Sequence, residues 1–281
     1  PIGARQAPSG NLAVAAALTD SHRTDADRAR DRFRHPAETI AYCRIQPGQQ
    51  VVDVMPGGGW WTRILPFYLG EQGRYIALNP DVRAGTAQMQ QALGGTAEKF
   101  PPQAATWTGL PASRFAGYNS DTLPASMMGI VDRVLIMRQV HNINRFGFLF
   151  AELTTARHLL KPDGLLCVEE HRAKSTASPD YADGSKGYMR EKDVIALIEA
   201  HGFSLVGKSE INANRRDPAS EPLGSPSVLD DFEAGWRHTE ASYARIVSQA
   251  RARGIRTIVL STTPYDFADW RVPTPDVTGC G

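Results

Sequence analysis

The stretch Val51-Val52-Asp53-Val54-Met55-Pro56-Gly57-Gly58-Gly59-Trp60 is an apolar run with one acid inside it that ends in proline and three consecutive glycines. This pattern predicts a buried strand that leads through a tight turn into a helix. A glycine backbone adopts conformations closed to other residues, and it carries no side chain that would hold a ligand at a distance. The turn therefore predicts a site for a nucleotide-like cofactor.

The composition limits the possible partners. The chain has 281 residues, of which 42% are hydrophobic, and this is enough for one sizeable core. Lys plus Arg number 31 against 30 Asp plus Glu, so the formal net charge of +1 creates no field that would collect nucleic acid or anionic lipid. No apolar run approaches the roughly 20 residues of a membrane span. We expect a small-molecule partner, with neither nucleic acid nor membrane.

The cysteines and the chain start say little about location. Cys43, Cys167 and Cys280 lie far apart, which excludes a disulfide-rich scaffold and a CxxC-type metal site. The chain begins at Pro1 without methionine, which is compatible with a removed leader. Residues 1–20 are expected to be flexible, because the first dozen are mostly small and polar.

Helical and strand patterns alternate along the chain, which predicts an α/β fold with a parallel sheet covered on both faces. Strands are predicted at residues 51–55, 75–78, 130–137, 165–168 and 203–211, with a further candidate at 104–108. Helices are predicted at residues 21–34, 37–43, 60–69, 82–93, 146–160 and 190–200. The segment Lys161-Pro162-Asp163-Gly164 predicts a turn in which Gly164 has a positive φ. Residues 212–281 read as a linker, a helix at 228–253, a strand candidate at 255–261 and an irregular tail.

Polar side chains follow the strand predicted at 130–137, at the end where open α/β sheets bind ligands. They are Arg138, Gln139, His141 and Asn142. Two hypotheses apply to His141. In the first it acts on a substrate nucleophile, as a base or as an orienting group, and in the second it is a loop histidine with a structural hydrogen bond.

Two further polar segments invite functional readings. Glu169, Glu170 and His171 carry metal-ligand and proton-transfer groups, but adjacent strand residues point to opposite faces. At most Glu169 and His171 share a side, so we expect no metal site. The second segment is a possible lid over the substrate or else a solvated connection. Its candidate side chains are Tyr181, Lys186, Tyr188 and Arg190.

Together these segments resemble the class I S-adenosylmethionine-dependent methyltransferases. The resemblance rests on the Asp53 strand with its glycine turn, on Asn79-Pro80-Asp81, on the Asp132 strand and on Leu159-Leu160-Lys161-Pro162-Asp163-Gly164-Leu165-Leu166. More narrowly, residues 52–69 are similar to a bacterial group of predicted methyltransferases with a Pro-Gly-Gly-Gly-Trp first motif. The resemblance covers residues 21–214, and it implies a doubly wound, mostly parallel sheet of seven strands with a methyltransferase domain at 21–211.

The resemblance also implies a set of cofactor contacts. Asp53 matches the acid of the first motif, Gly57 and Gly59 match its second and third glycines, and Met55 replaces the first. Asn79 occupies or adjoins the position at which the family usually has an acid that binds the ribose hydroxyls. A neutral amide hydrogen-bonds a hydroxyl more weakly than a charged carboxylate does. The implied cofactor-binding residues are Asp53, Met55, Pro56, Gly57, Gly58, Gly59, Asn79, Asp81 and Arg138.

The predicted function is transfer of a methyl group from S-adenosylmethionine to a small, unidentified acceptor, with His141 as the candidate catalytic residue. Methyl transfer needs an in-line approach, and it needs a base only when the nucleophile carries a proton. Two alternatives stay open: a non-catalytic methyltransferase-like module, and a nicotinamide-dependent oxidoreductase, which the missing GxGxxG spacing disfavours. The cofactor supply favours the cytoplasm, with export as the alternative.

Overall fold

The computed structural model describes residues 10–213, and the predictions for residues 214–281 lie outside the described residues. Five strands form one sheet in the order β3-β2-β1-β4-β5, and every neighbouring pair is parallel. The strands are β1 Gln50–Val54, β2 Arg74–Asn79, β3 Phe115–Asn119, β4 Val131–Met137 and β5 Leu160–Glu169. A separate pair consists of β6 Arg172–Ala173 and β7 Met189–Arg190.

Helices precede and connect these strands. They are α1 Gly10–Leu18, α2 Asp25–Arg28, α3 Asp31–Arg34, α4 Pro36–Tyr42, α5 Leu65–Leu69, α6 Ala87–Leu93, α7 Thr96–Thr108, α8 Val140–Arg145, α9 Leu149–Leu159, α10 Pro179–Ala182 and α11 Glu191–Glu199. The prediction of a flexible segment at residues 1–20 does not hold for residues 10–18, since these form α1 and bury Ala17.

Each face of the sheet carries its own apolar core. Val52 and Val54 of β1 belong to one core with Leu153 of α9, whereas Val51 belongs to the other with Leu65 of α5. Alternate residues of the strand thus face opposite helical layers. The predicted doubly wound α/β fold is confirmed. The main sheet has five strands within residues 10–213, and the count of seven is not confirmed.

Two strand predictions are wrong. Residues 203–211 form no strand, and Val206 in their middle is 76% exposed. A strand requires a neighbouring ladder for its backbone groups, and the described residues provide none here. Residues 104–108 belong to α7, in which Phe100, Ala104 and Thr108 recur every four residues on the buried face. The third strand is β3, which the sequence patterns missed.

Several predicted helices are shorter in the structure, while those at 37–43 and 190–200 are confirmed as α4 and α11. Residues 60–64 form turns, so α5 begins only at Leu65, with a proline in its first turn. The helix predicted at 82–93 begins at Ala87, the one at 146–160 is α9, and the one at 21–34 divides into α2 and α3.

The predicted turn before the fifth strand is a bulge inside β5. Val131 pairs with Leu160 and Arg133 with Leu165, so four residues lie between consecutive pairs on β5. The expected positive φ at Gly164 is wrong, because its φ is not among the positive ones. A Cβ on Gly164 would instead lie 2.9 Å from the Leu160 side chain. Close packing therefore accounts for this glycine.

One disulfide joins Cys43, directly after α4, to Cys167 on β5 across 124 residues of sequence. Sequence spacing alone did not predict this pairing, since only the fold brings the two cysteines together. None of the helices within residues 10–213 has the length and apolar character needed to span a bilayer.

Candidate functional site

The strand order reverses between β1 and β4. From β1 the chain continues outward to β2 and β3, and it then returns to place β4 and β5 on the other side of β1. In open parallel sheets, ligands bind beyond the carboxyl ends of the strands at such a switch. The residues that follow β1 and β4 therefore border the candidate site.

Both strands leave the sheet through a residue in a strained conformation. Met55, directly after β1, has a φ of 53°, and Arg138, directly after β4, has a φ of 60°. Left-handed conformations cost a non-glycine residue roughly 1–3 kcal/mol, and they concentrate at functional sites. Met55 thus adopts the backbone that the more usual glycine would adopt without strain, while its side chain packs against the core on the α9 face.

The three glycines have different surroundings. Gly57 and Gly59 have φ values of +57° and +73°, which favour glycine. A Cβ on Gly59 would lie 2.3 Å from the Trp107 ring, so this glycine permits packing. A Cβ on Gly58 would meet nothing within 4 Å, and one on Gly57 only the Met55 carbonyl at 3.9 Å. The backbone at Gly57 and Gly58 therefore borders open space, which fits a cofactor in close contact.

An ion pair from the N-terminal region holds this turn. Arg63 donates from Nε and Nη2 to the carboxylate of Asp27, at 2.7 and 2.9 Å, and from Nη2 to the carbonyl of Gly58 at 3.1 Å. The indole of Trp60 donates to the carbonyl of Asp27 at 3.0 Å. We call Asp27, Trp60 and Arg63 the turn clamp.

The carboxylate of Asp27 is charged and fully paired. Burial acts to raise its pKa, but hydrogen bonds from Arg63 and Thr24 outweigh burial and lower the pKa to about 2. Thr24 and Asp27 also form the capping box of α2. The clamp was missed by sequence reasoning because its two charges lie 36 residues apart.

The predicted motif acid, Asp53, lies in the core. It is buried, and the hydroxyl of Tyr75 on β2 donates to its carboxylate at 2.5 Å. Burial raises the pKa of Asp53 to about 7, although the hydrogen bond from Tyr75 acts to lower it. The Tyr75 hydroxyl also lies 3.1 Å from that of Thr62, so Asp53 links β1 to β2 and to the segment after the turn.

The predicted ribose contacts follow β2. The amide nitrogen of Asn79 donates within the fold, to Thr96 Oγ1 at 3.1 Å. Asp81 accepts from Nε and Nη2 of Arg83 at 2.9 and 2.8 Å, and Asp121 pairs with the same guanidinium at 3.2 Å. Asp121 follows β3, and it was missed because β3 was not predicted.

A buried acid lies close to these carboxylates. Glu152 of α9 accepts from Ser120 Oγ at 2.6 Å through one oxygen, while its Oε2 has no hydrogen-bond partner within the described residues. Burial raises the pKa of Glu152 to about 7, against the hydrogen bond from Ser120, and the charges of Asp81 and Asp121 also raise it.

Charged groups also meet at the end of β5. The guanidinium carbon of Arg34 lies 4.7 Å from the ring centroid of Trp60. Burial, followed by the positive charge of Arg138, lowers the pKa of Arg34 to about 10. Burial raises the pKa of Glu169, while Arg138 and Arg34 act to lower it. Sequence reasoning identified Arg138 here but missed Arg34.

His141, the predicted catalytic residue, lies in the first turn of α8 and pairs with Glu170. Its Nδ1 lies 2.7 Å from Glu170 Oε1, and its backbone N–H donates to Oε2 at 2.9 Å. Glu170 Oε1 also accepts from the backbone N–H of His171 at 2.6 Å. Both side chains are largely buried.

His171 belongs to the same group. Arg138 donates from Nε to Nε2 of His171 at 2.9 Å, and the His171 ring lies 5.8 Å from that of His141 and 5.8 Å from that of Tyr188. We call Arg138, His141, Glu170, His171 and Tyr188 the histidine cluster. The expectation that at most Glu169 and His171 share a side does not hold for Glu170, which bonds to both His141 and His171. The reason is that β5 ends at Glu169 and strand alternation stops there.

The predicted lid residues pack against this cluster. Tyr188 is buried and stacks on Tyr181 with centroids 6.0 Å apart, and Lys186 lies 5.2 Å from the Tyr181 centroid. A Cβ on Gly184 would lie 2.8 Å from the His141 carbonyl oxygen, so this segment contacts α8 directly. Residues 10–213 contain no group of three or more His, Cys, Asp or Glu side chains arranged to hold a metal ion.

Neither a family model nor a curated protein matches the chain, whereas several solved structures are similar to it. A SAM-dependent methyltransferase from Aquifex aeolicus is 16% identical, with a TM-score of 0.45 over 70% of this chain and 90% of that one. The [4+2]-cyclase SpnF is 16% identical, with a TM-score of 0.43 over 71% and 73%.

CrArsM, an arsenic (III) S-adenosylmethionine methyltransferase from Chlamydomonas reinhardtii, is 14% identical, with a TM-score of 0.38 over 57% of this chain and 53% of that one. The chain thus spans about half the length of the algal enzyme. At these identities the similarity concerns the fold alone.

Proposed function

We propose that this chain is an S-adenosylmethionine-dependent methyltransferase that acts on a small-molecule acceptor. One observation carries the proposal: at the switch point, β1 ends in a turn whose Gly57 and Gly58 backbone borders open space, and the adjacent β4 leads to His141. A cofactor on the turn and an acceptor beside His141 would then meet across two neighbouring strands.

The residues present fit the cofactor. Gly57 and Gly58 would lie against its methionine part, with Met55 and Pro56 shaping the turn and Gly59 packed on Trp107. Asp53 would support the turn from the core, through Tyr75. When bound, the cofactor supplies an electrophilic methyl group on a sulfonium.

The adenosyl part would lie toward β2. Asp81 suits the ribose hydroxyls, because a carboxylate accepts hydrogen bonds from hydroxyl groups. Asn79 is the weaker candidate, since its amide nitrogen already donates to Thr96. Arg138 would contribute positive charge between the cofactor and the histidine cluster. The internal use of Asn79 and the strained Met55 are the observations that favour a second candidate, a non-catalytic binding module.

Titration calorimetry on the full chain tests the proposal. We expect binding of S-adenosylmethionine and S-adenosylhomocysteine, and none of NAD. Gly58→Asp should abolish binding, because its carboxylate would extend into the open space at the turn, whereas Gln103→Asp on the exposed side of α7 should bind like the wild type. Absence of binding of either sulfur compound, or normal binding by Gly58→Asp, would contradict the proposal.

The compartment is a separate proposal. Cofactor supply favours the cytoplasm, and the bond between Cys43 and Cys167 is the observation that favours export, because disulfides persist mainly in oxidising compartments. Alkylation of free thiols in freshly lysed native cells, followed by intact-mass analysis, distinguishes the two. Free thiols at both positions support the cytoplasm, and an intact disulfide supports export.

A further inference from the structure

Glu170 fixes the orientation and the proton of His141. Its carboxylate accepts from the Nδ1 side of the ring at 2.7 Å and from the backbone N–H of the same residue at 2.9 Å. An ionised carboxylate is only an acceptor, so Nδ1 must carry the hydrogen. In the neutral ring Nε2 then holds the lone pair, and the hydrogen bonds of His141 within residues 10–213 use its Nδ1 and its backbone N–H and leave Nε2 out.

In His171, by contrast, Nε2 is already engaged in a hydrogen bond. Nε of Arg138 donates to its Nε2 at 2.9 Å, so that lone pair is already used and cannot accept a proton while the bond is kept. Arginine remains protonated and has no acceptor atom, so the direction of this bond is fixed. Of the two imidazoles, His141 is therefore the one that presents a basic Nε2.

The chemistry of methyl transfer also discriminates between acceptors. The Glu170 carboxylate lies 2.7 Å from Nδ1 of His141, and Arg138 places its guanidinium on the neighbouring His171 ring, so the site holds one group of each charge. An ammonium has no free electron pair for the methyl carbon until it has lost a proton. A neutral acceptor with a hydroxyl suits the pair, because its oxygen has a free electron pair and brings a proton for Nε2.

We infer that the pair of His141 and Glu170 makes this site specific for acceptors with a hydroxyl group, with His141 as the base and Glu170 as its positioning residue. The inference rests on the proposed function. The acceptor oxygen gives its proton to Nε2 of His141 as it bonds to the methyl carbon. The carbon–sulfur bond breaks, and its electron pair stays on sulfur.

The charge balance of this step explains the need for Glu170. The positive charge that leaves the sulfonium is replaced by one on the imidazolium of His141. Glu170 stays ionised beside Nδ1 and stabilises that charge. A thioether or a tertiary amine has no proton to release, so it would gain nothing from the pair.

Nitrogen NMR tests the tautomer without any acceptor. In protein with ¹⁵N-labelled histidine, the signal of His141 is assigned by its loss in His141→Gln. We expect the neutral Nδ1–H form in the wild type, and a shift toward a mixture of tautomers in Glu170→Gln. The Nε2–H form in the wild type would overturn the inference, and this readout does not require any variant of Glu170 to fold.

Acceptor selectivity tests the chemistry. Labelled S-adenosylmethionine is incubated with matched panels of phenols, alcohols, thioethers and tertiary amines. We expect transfer to hydroxyl compounds alone, with a loss of roughly 10²-fold or more in kcat for Glu170→Gln, the scale of general base catalysis. Glu191→Gln, which removes a partly exposed carboxylate outside the histidine cluster, is the matched control and should keep full activity.

The outcomes separate the two proposals. The inference is overturned if methyl is transferred to thioethers or tertiary amines, or to no hydroxyl compound at all. The proposed function still stands in that case if the wild type binds S-adenosylhomocysteine. Loss of that binding in the wild type overturns the proposed function itself. Glu170→Gln should bind S-adenosylhomocysteine like the wild type, because Glu170 contacts the histidine cluster and not the glycine turn.

Discussion

The glycine turn after β1 and the histidine cluster after β4 and β5 lie at the same end of the sheet, but they are built differently. At the turn, the groups next to open space are backbone atoms, and the charges of Asp27 and Arg63 lie behind them. In the histidine cluster, the polar groups are side chains, and they are held in two pairs, Arg138 with His171 and His141 with Glu170. The first region is suited to contact with a ligand, and the second to acting on a proton.

The largest effect is expected from breaking the turn clamp. Asp27→Ala should lower the free energy of unfolding by about 3–5 kcal/mol, because it leaves the largely buried guanidinium of Arg63 without its partner. Urea unfolding at neutral pH measures the change. Asp25→Ala is the matched control, since Asp25 lies on the same helix and is paired with Arg28 but is 98% exposed, and it should leave stability unchanged.

Acid should narrow the difference between wild type and Asp27→Ala. The pKa of Asp27 is lowered from 3.8 to about 2, so its ionic contribution is complete above about pH 5 and is lost as the pH falls through 2. This shift corresponds to roughly 2.5 kcal/mol, so the gap in unfolding free energy should shrink by about 2 kcal/mol between pH 7 and pH 2. A gap of unchanged size at pH 2 would show that the ionic bond to Arg63 is not the source.

The second largest effect on stability is expected for Gly59→Ala, in contrast to a substitution at the adjacent Gly58. Gly59→Ala places a Cβ 2.3 Å from Trp107 at a φ of +73°, so overpacking and backbone strain together should cost roughly 2–5 kcal/mol. Thermal and urea unfolding measure this loss. If Gly59→Ala is as stable as the wild type, then Trp107 moves freely and does not fix the turn.

Glu152 is a buried acid with no cation beside it in the described part of the chain, and its raised pKa contrasts with the lowered pKa of Asp27 beside Arg63. Burial raises the pKa of Glu152 from 4.5 to about 7, so the folded state keeps a proton that the unfolded state releases. Its contribution to stability should fall as the pH rises from 4.5 to 7, by up to about 3 kcal/mol, and level off above that. Asp53 adds a similar fall in wild type and variant alike. In urea unfolding at pH 5 and pH 8, Glu152→Gln, which stays neutral, should therefore lose up to about 3 kcal/mol less than the wild type, while an equal loss would contradict the assignment.

Features that depend on a few adjacent residues were predicted, and those that depend on distant partners were not. The glycine turn and the four strands at 51–55, 75–78, 130–137 and 165–168 follow from local patterns. The bond between Arg63 and Asp27 and the pairing of His141 with Glu170 require the fold, because their partners are 36 and 29 residues apart. His141 was predicted from its place after a strand, but its pairing with Glu170 was not predicted.

The smallest effect on stability is expected for Gly58→Ala. This variant tests whether the turn backbone contacts a ligand or only serves packing. Gly58→Ala adds a methyl group that meets nothing within 4 Å, at a backbone conformation open to alanine. Stability should rise by up to about 1 kcal/mol, since alanine restricts the unfolded chain. Affinity for S-adenosylhomocysteine should nevertheless fall by about tenfold, which corresponds to roughly 1.4 kcal/mol. Equal affinity would show that no ligand approaches this backbone, and a loss of stability would show that Gly58 serves packing as Gly59 does.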